Sequence, residues 1–183
     1  NIDQISTIVL DMLTYSTERK PRYEEVNPNE LVEEVLELVE ERAKAANVQI
    51  EKELTPDLPP VPMDRTGIHR ALLNLVSNAI DACTLEGIIE GNGAVRVRTG
   101  RPEGWGARFE VRDNGTGIRQ ETRERLFSDF FTTKGYKGTG LGLPVTQKVV
   151  KEHGGELTFE SVPNQGTTFT LLLPARNPGR HTH

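Results

Sequence analysis

The segment from Asp64 to Leu85 carries two apolar stripes with a polar seam between them. Ile68, Leu72, Leu75 and Ala79 recur at helical spacing, and so do Leu73, Val76 and Ile80. Asn74, Asn78 and Asp81 lie between them at i, i+4 and i+7, on one narrow face. A helix patterned this way is buried on two sides and must still accommodate its amides. Asparagine is a poor helix former, and an unpartnered buried amide costs about 1–3 kcal/mol. Two uses fit. The amides cap a neighbouring loop, since buried polar groups find partners. Alternatively, their oxygens face a metal or a phosphate. Oxygen ligands suit Mg2+, which keeps waters and phosphates for its other positions.

The rest of the chain divides around this helix. Ile2, Ile5, Val9 and Met12, widened by Ile8 and Leu13, predict a helix over residues 1–19. Its wide apolar face needs a partner, so it reads as part of a larger helical assembly. Residues 20–27, with Pro21, read as a linker. Asn27 suits an N-cap, Pro28 the first helical position and Glu30 a capping box, which starts a helix running to about Ala46. Val48 and Ile50 open a strand that extends toward Leu54, and prolines 56, 59, 60 and 62 form a stiff connection. The Asn74 helix then starts after Asp64.

Val95 and Val97 begin a strand, Phe109 and Val111 belong to the next, and residues 101–106 turn between them. Residues 113–142 show no long period. A helix over 143–153 stops at Gly154-Gly155, and strands at 156–161 and 167–173 make a second hairpin. This order predicts an α/β fold, a two-layer sandwich in which a mixed, mostly antiparallel sheet carries helices on one face. A loose tail follows from 177. The implied boundaries are 1–20, 21–27, 28–176 and 177–183.

Composition narrows the function. The net charge of −5 argues against nucleic acid as a partner. Cys83 is the one cysteine, so no disulfide forms within the chain and a reducing compartment is expected. No run of 18 apolar residues appears, so the expected location is cytoplasmic, with a membrane anchor elsewhere in a longer parent left open.

Two glycine motifs flank the aperiodic stretch. Asp113-Asn114-Gly115-Thr116-Gly117-Ile118 sits at a strand end, where a carboxylate can accept from an exocyclic amine. The plain alternative is a tight turn. Gly138-Thr139-Gly140-Leu141-Gly142 leads into a helix and offers backbone N–H groups to an anion. A dinucleotide fold would need a strand before it, and Phe127 to Lys137 is not strand-like. Phe127, Phe130 and Phe131, followed by Thr132, Thr133 and Lys134, read as the anchored base of a lid.

Together, Asn-x-x-x-Asn-Ala-x-Asp-Ala, Asp-Asn-Gly-Thr-Gly-Ile, Phe-x-x-Phe-Phe-Thr-Thr-Lys and Gly-Thr-Gly-Leu-Gly-Leu resemble the N, G1, F and G2 boxes of sensor histidine kinases. These kinases belong to the superfamily shared with gyrase, Hsp90 and MutL. The resemblance covers residues 24 to 175, and the helix 1–19 resembles the end of a dimerisation and phosphotransfer helix. It implies a Bergerat-type ATP-binding fold. On that likeness Asn78 would hold Mg2+, and Asn74 would meet the phosphates or the metal's waters. Asp113 would take the adenine amine with Thr167 assisting, and Gly115 and Gly117 would leave room for the ring. Gly138, Thr139, Gly140, Leu141 and Gly142 would shape the phosphate loop. Lys134 would supply a cation, since many relatives carry lysine where this chain has Asp81.

One position separates chemistries. Hydrolysing relatives carry glutamate where this chain has Asn74, and an amide cannot take a proton from water. The resemblance therefore implies ATP held for a histidine nucleophile, with Asn74 and Lys134 as the catalytic pair. The implied partners are a dimerisation domain, a response regulator and a second copy of the full-length chain. The acceptor pattern of such domains is absent here. His69 lies on the Asn74 helix, His153 ends a helix where a partly positive ring is favoured, and His181 and His183 lie in the tail. The expectation is a chain that binds ATP without phosphorylating itself. An ATP-driven clamp and a nucleotide-sensing module are the competing readings.

Overall fold

The structure is a computed structural model describing residues 20–84, 93–126 and 142–177. The helix expected over 1–19, the aromatic segment and phosphate loop from Phe127 to Leu141, and the tail beyond Asn177 lie outside the described residues.

A five-stranded sheet forms the frame. Its strands are β2 (Val48–Glu53), β4 (Gly93–Gly100), β5 (Ala107–Asp113), β6 (Glu156–Val162) and β7 (Gly166–Leu173), in the order β2-β4-β5-β7-β6. The pair β2–β4 is parallel, and every other pair is antiparallel. Helices α1 (Pro28–Ala45), α2 (Arg65–Ala82) and α4 (Gly142–Glu152) cover one face. The expected α/β sandwich with a mixed sheet is what forms.

Strand parity shows why only one face is covered. Val95 and Val97 on β4, Phe109 and Val111 on β5, and Phe169, Leu171 and Leu173 on β7 are all buried. The alternate residues face water and pair across strands, as in Arg96 with Glu51 at 2.8 Å and Arg98 with Glu53 at 2.6 Å. Such exposed pairs contribute little stability. They make the outer face of a largely antiparallel sheet compatible with water.

The helices follow their local signals closely. The Asn27 side chain accepts from the backbone N–H of Asn29 at 2.9 Å and of Glu30 at 3.4 Å, and α1 ends at Ala45 with Arg42 and Lys44 in its last turn. On α2, Ile68, Leu72, Leu75, Val76, Ala79 and Ile80 are buried, as the two stripes require. This helix ends at Ala82 rather than near Leu85, because Cys83 and Thr84 turn back onto the carbonyls of Ala79, Ile80 and Asp81.

The linker expected over 20–27 is not plain linker. It contains β1 (Tyr23–Val26), which pairs antiparallel with β3 (Val61–Asp64). Both strands are four residues long, too short to show a period. Pro62, read as part of a stiff connection, is tolerated because a two-stranded ribbon has free edges. A short turn of helix, α3 (Gln120–Arg123), also sits within the stretch that shows no period.

Candidate nucleotide site

The first half of the site is built on strand ends. Asp113 closes β5, and Thr167 stands directly opposite it on β7. Each is only 5% exposed. Direct antiparallel partners on one face have side chains about 5 Å apart, so both groups address the same space between sheet and helices. The Asp113 carboxylate accepts from the Gly115 N–H at 2.9 Å. Burial pushes its pKa up to about 6, against the lowering effect of the backbone N–H groups of Gly115 and Thr167. The turn reading of this motif therefore holds, because the carboxylate caps its own turn, and the carboxylate keeps acceptor capacity beyond that bond.

The glycines of this loop have backbone reasons to be there. A Cβ on Gly115 would lie 2.4 Å from the Ala82 carbonyl at the end of α2. On Gly117, at φ +69°, it would lie 2.3 Å from the Val162 carbonyl. Besides the room for a ring that the resemblance implies, the structure shows close packing of the loop against α2 and against the β6–β7 turn. Thr116 N–H donates to Ala82 O at 3.3 Å, and Asn164 N–H donates to Thr116 O at 2.7 Å. Asn114 fastens the loop to β4 by accepting from the Ala94 N–H at 2.8 Å.

Sequence reasoning passed over Ser161. Its buried hydroxyl accepts from the Ile118 N–H at 2.7 Å and lies 2.8 Å from the Thr167 hydroxyl. The available signal was parity, since Ser161 follows Leu157 and Phe159 on the inward side of β6 although it is polar.

The second half lies on helices. The Asn74 amide nitrogen donates to Gly142 O at 3.2 Å and lies 3.4 Å from Thr146 Oγ1. Thr146 also donates to Gly142 O, at 2.7 Å. The capping alternative for Asn74 thus holds for its nitrogen, and what remains to offer a ligand is its oxygen. Asn78 stands one turn further along α2, half-buried between the same apolar stripes. Ala82, which receives the Asp113 loop, is about one more turn on, so a single helix ties both halves together. Asp81 does not share the polar seam's task, because it pairs with Arg42 of α1. Gly142 begins α4, and a Cβ there would meet Asn74 only at an ordinary 3.9 Å. Lys134, Gly138, Thr139, Gly140 and Leu141 lie outside the described residues. Among the described residues, no group of three or more His, Cys, Asp or Glu side chains could hold a metal by itself.

His153 corrects an expectation. A partly positive ring was expected at the helix end. Instead the ring is 1% exposed and neutral in character, with Nδ1 2.7 Å from Val149 O and Nε2 accepting from the Asp64 N–H at 2.9 Å. Burial lowers its pKa. Tyr23 packs edge-on against it at 5.2 Å and donates to Glu152 O at 3.0 Å, so this cluster clasps the β1–β3 ribbon to α4.

Residues 63–177 match the family described as histidine kinase-, DNA gyrase B-, and HSP90-like ATPase. The chain belongs to this family. Within it, the chain carries the catalytic ATP-binding domain found in sensor histidine kinases. It is 35% identical over 99% of its length to the signal transduction histidine-protein kinase AtoS of Escherichia coli K12, and spans 29% of that protein. It is 29% identical to sporulation kinase E of Bacillus subtilis over 96% of its length, or 23% of the relative. The nucleotide-free catalytic domain of histidine kinase ThkA superimposes with a TM-score of 0.74 at 36% identity, over 87% of this chain and 99% of that one. Histidine kinase ThkA solved in complex with the response regulator protein TrrA gives 0.77 at 33% identity over 98% of this chain and 49% of its own. Full-length ShkA, solved with AMPPNP, gives 0.82 at 25% identity over 97% of this chain and 37% of its own. No described helix is long and apolar enough to cross a membrane.

Proposed function

We propose that this chain holds Mg-ATP and presents the γ-phosphoryl group to a histidine on a dimerisation domain, in the cytoplasm. In this reading Asp113 accepts the adenine amine and Thr167 meets the adjacent ring nitrogen. The amide oxygens of Asn74 and Asn78 face the phosphate side. Asn78 would hold Mg2+, and Asn74 would meet the phosphates or the metal's waters. The donor set fits that ion. A pair of neutral oxygens a turn apart is too little to build a preformed site, but suits a cation that arrives with phosphates and waters as its other ligands. When bound, Mg2+ supplies charge neutralisation along the phosphates. The chain's own contribution is orientation. The backbone of Gly142, at the start of α4, is fixed by Asn74 and Thr146. Lys134 and the glycines from Gly138 to Gly142 would complete the phosphate grip.

The observation that carries this reading is the Asn74 side chain. Its nitrogen is committed to Gly142, and its oxygen cannot accept a proton from water at neutral pH. A site so built retains ATP for an external nucleophile, and the response regulator of such a system would receive the phosphoryl group afterwards. A paired measurement tests it. Calorimetry is expected to show Mg-ATP binding, while phosphate release under single-turnover conditions stays near the uncatalysed level. Fast phosphate release from the chain alone would favour an ATP-driven clamp.

A further inference from the structure

Ser161 has one proton and three neighbours. It accepts the Ile118 N–H at 2.7 Å, sits 2.8 Å from Thr167 Oγ1 and lies 3.2 Å from Gly166 O. Two proton orders are open, of which the first makes all three contacts hydrogen bonds and the second spends the Ser161 proton on Thr167 instead of Gly166 O. In one, Thr167 donates to Ser161 and Ser161 donates to Gly166. Thr167 then shows only lone pairs beside the Asp113 carboxylate, and a base would need donors at both positions. In the other, Ser161 donates to Thr167, which frees the Thr167 proton to point into the space it shares with Asp113. The shorter contact is the one to Thr167. The negative carboxylate on the neighbouring strand also draws the threonine proton toward the pocket.

We infer that Ser161 is a specificity-determining positioning residue, which holds the Thr167 hydroxyl as a hydrogen-bond donor to a ring nitrogen of the base. The inference rests on the proposed placement of adenine against Asp113 and Thr167. An acceptor carboxylate beside a fixed donor is complementary to an exocyclic amine next to an unprotonated ring nitrogen. A base presenting a carbonyl beside a ring N–H meets the reverse pattern. The surroundings suit a fixed donor. Ser161 is buried, its own carbonyl accepts from Arg123, and Gly166 lies so close over Asp113 that a Cβ there would be 2.0 Å from the Asp113 carbonyl. The hydroxyl pair thus sits where the backbone leaves it few alternatives.

The test compares three nucleotides with the wild-type chain, Ser161→Ala and Thr167→Val. The nucleotides are ATP, 1-deaza-ATP (which lacks the ring nitrogen) and the 6-deamino analogue (which lacks the amine). Wild type is expected to prefer ATP over 1-deaza-ATP by about tenfold, the size of one hydrogen bond. Ser161→Ala is expected to reduce that preference to about twofold, as Thr167→Val does, because an unpinned hydroxyl loses its direction. Discrimination against the 6-deamino analogue should persist in both variants, since Asp113 is untouched. A Ser161→Ala protein that prefers ATP over 1-deaza-ATP as strongly as wild type overturns the proposal and leaves the Asp113 and Thr167 placement standing. So does an equal weakening of all three nucleotides, which would make Ser161 only a pin for Ile118. Wild type that binds ATP and 1-deaza-ATP equally overturns the Thr167 placement and the proposal together. If Ser161→Ala does not fold, Ser161→Cys keeps the volume with a feeble donor and is expected to lower the preference part-way. An unchanged preference in that variant also overturns the proposal.

Discussion

At the base end of the site, each polar group belongs to a strand or is held by one. Asp113, Thr167 and Ser161 are buried and face one another across antiparallel ladders, with Asp113 and Ser161 accepting from backbone N–H groups and Thr167 held against Ser161. At the phosphate end, Asn74 and Asn78 stand half-exposed on one face of α2, and the Asn74 nitrogen is spent on a neighbouring helix, at Gly142. The contrast matches two physical tasks. Reading a base requires donors and acceptors fixed before the ligand arrives, since a misdirected hydroxyl in a buried site costs as much as a lost hydrogen bond. Gripping phosphates needs oxygens that a hydrated cation can reach, and strong mobile charges tolerate less exact placement. In each half one key side chain caps the protein with part of its capacity, Asp113 at Gly115 and Asn74 at Gly142, and the proposed site uses the rest for the ligand.

Substitutions at the two ends therefore differ in kind. Asn78→Ala is expected to have the largest effect, weakening Mg-ATP on the order of a hundredfold. The variant and wild type should then bind equally in EDTA. Calorimetry with and without Mg2+ checks this, and an unchanged Mg2+ dependence in a folded variant removes the metal from Asn78. Asp113→Asn acts on the base alone. Converting an acceptor carboxylate into a mixed amide should weaken ATP by about 1.5–3 kcal/mol while leaving the 6-deamino analogue nearly unaffected. Equal losses for both nucleotides would mean that Asp113 supports the loop rather than reads the amine.

A third substitution lies outside both ends. His153→Ala leaves the Asp64 N–H without its acceptor and should lower unfolding stability by about 2 kcal/mol in a denaturant titration. Base preference should be unchanged. A lost preference in that variant would show the β1–β3 clasp reaching into the nucleotide site.

The smallest expected effect is a pH dependence. Asp113 has its pKa raised to about 6, so in the empty site the carboxylate is ionised above that pH and protonated below it. The amine requires the ionised form. The preference for ATP over the 6-deamino analogue should therefore be full at neutral pH and fall by about tenfold per unit below about 6. Taking the ratio of the two nucleotides cancels titration of their shared phosphates. Asp113→Asn should show a flat ratio, and a flat wild-type profile would contradict the buried carboxylate's role.

Much of this arrangement was legible because it rests on periodicity. The stripes of α2 placed Asn74 and Asn78 between buried neighbours, and the Asn27-Pro28 pair marked the start of α1. What escaped depends on distant pairing. The β1–β3 ribbon joins residues too far apart in sequence, in strands too short, for any local pattern to show. His153 looked like a helix-end cation because its acceptor contact comes from Asp64, 89 residues away. Ser161 had only parity to mark it, and its meaning depends on Ile118 and Thr167 arriving from other segments. Gly115 and Gly117 stood out in the motif as room for a ring, while the neighbours that crowd them, carbonyls of α2 and β6, appear only in the fold.

In the proposed function, ATP bound here waits for a histidine brought by another domain. This is tested most directly with ATP labelled at the γ-phosphorus, incubated with this chain alone and then with a separately supplied dimerisation domain. Little labelled phosphate and no acid-labile, base-stable label are expected on the chain itself, followed by such label on the added domain. His153 is not available as an acceptor while both of its ring nitrogens are engaged. Label found on His69 or His153 of this chain, or rapid release of labelled phosphate to water, would contradict it.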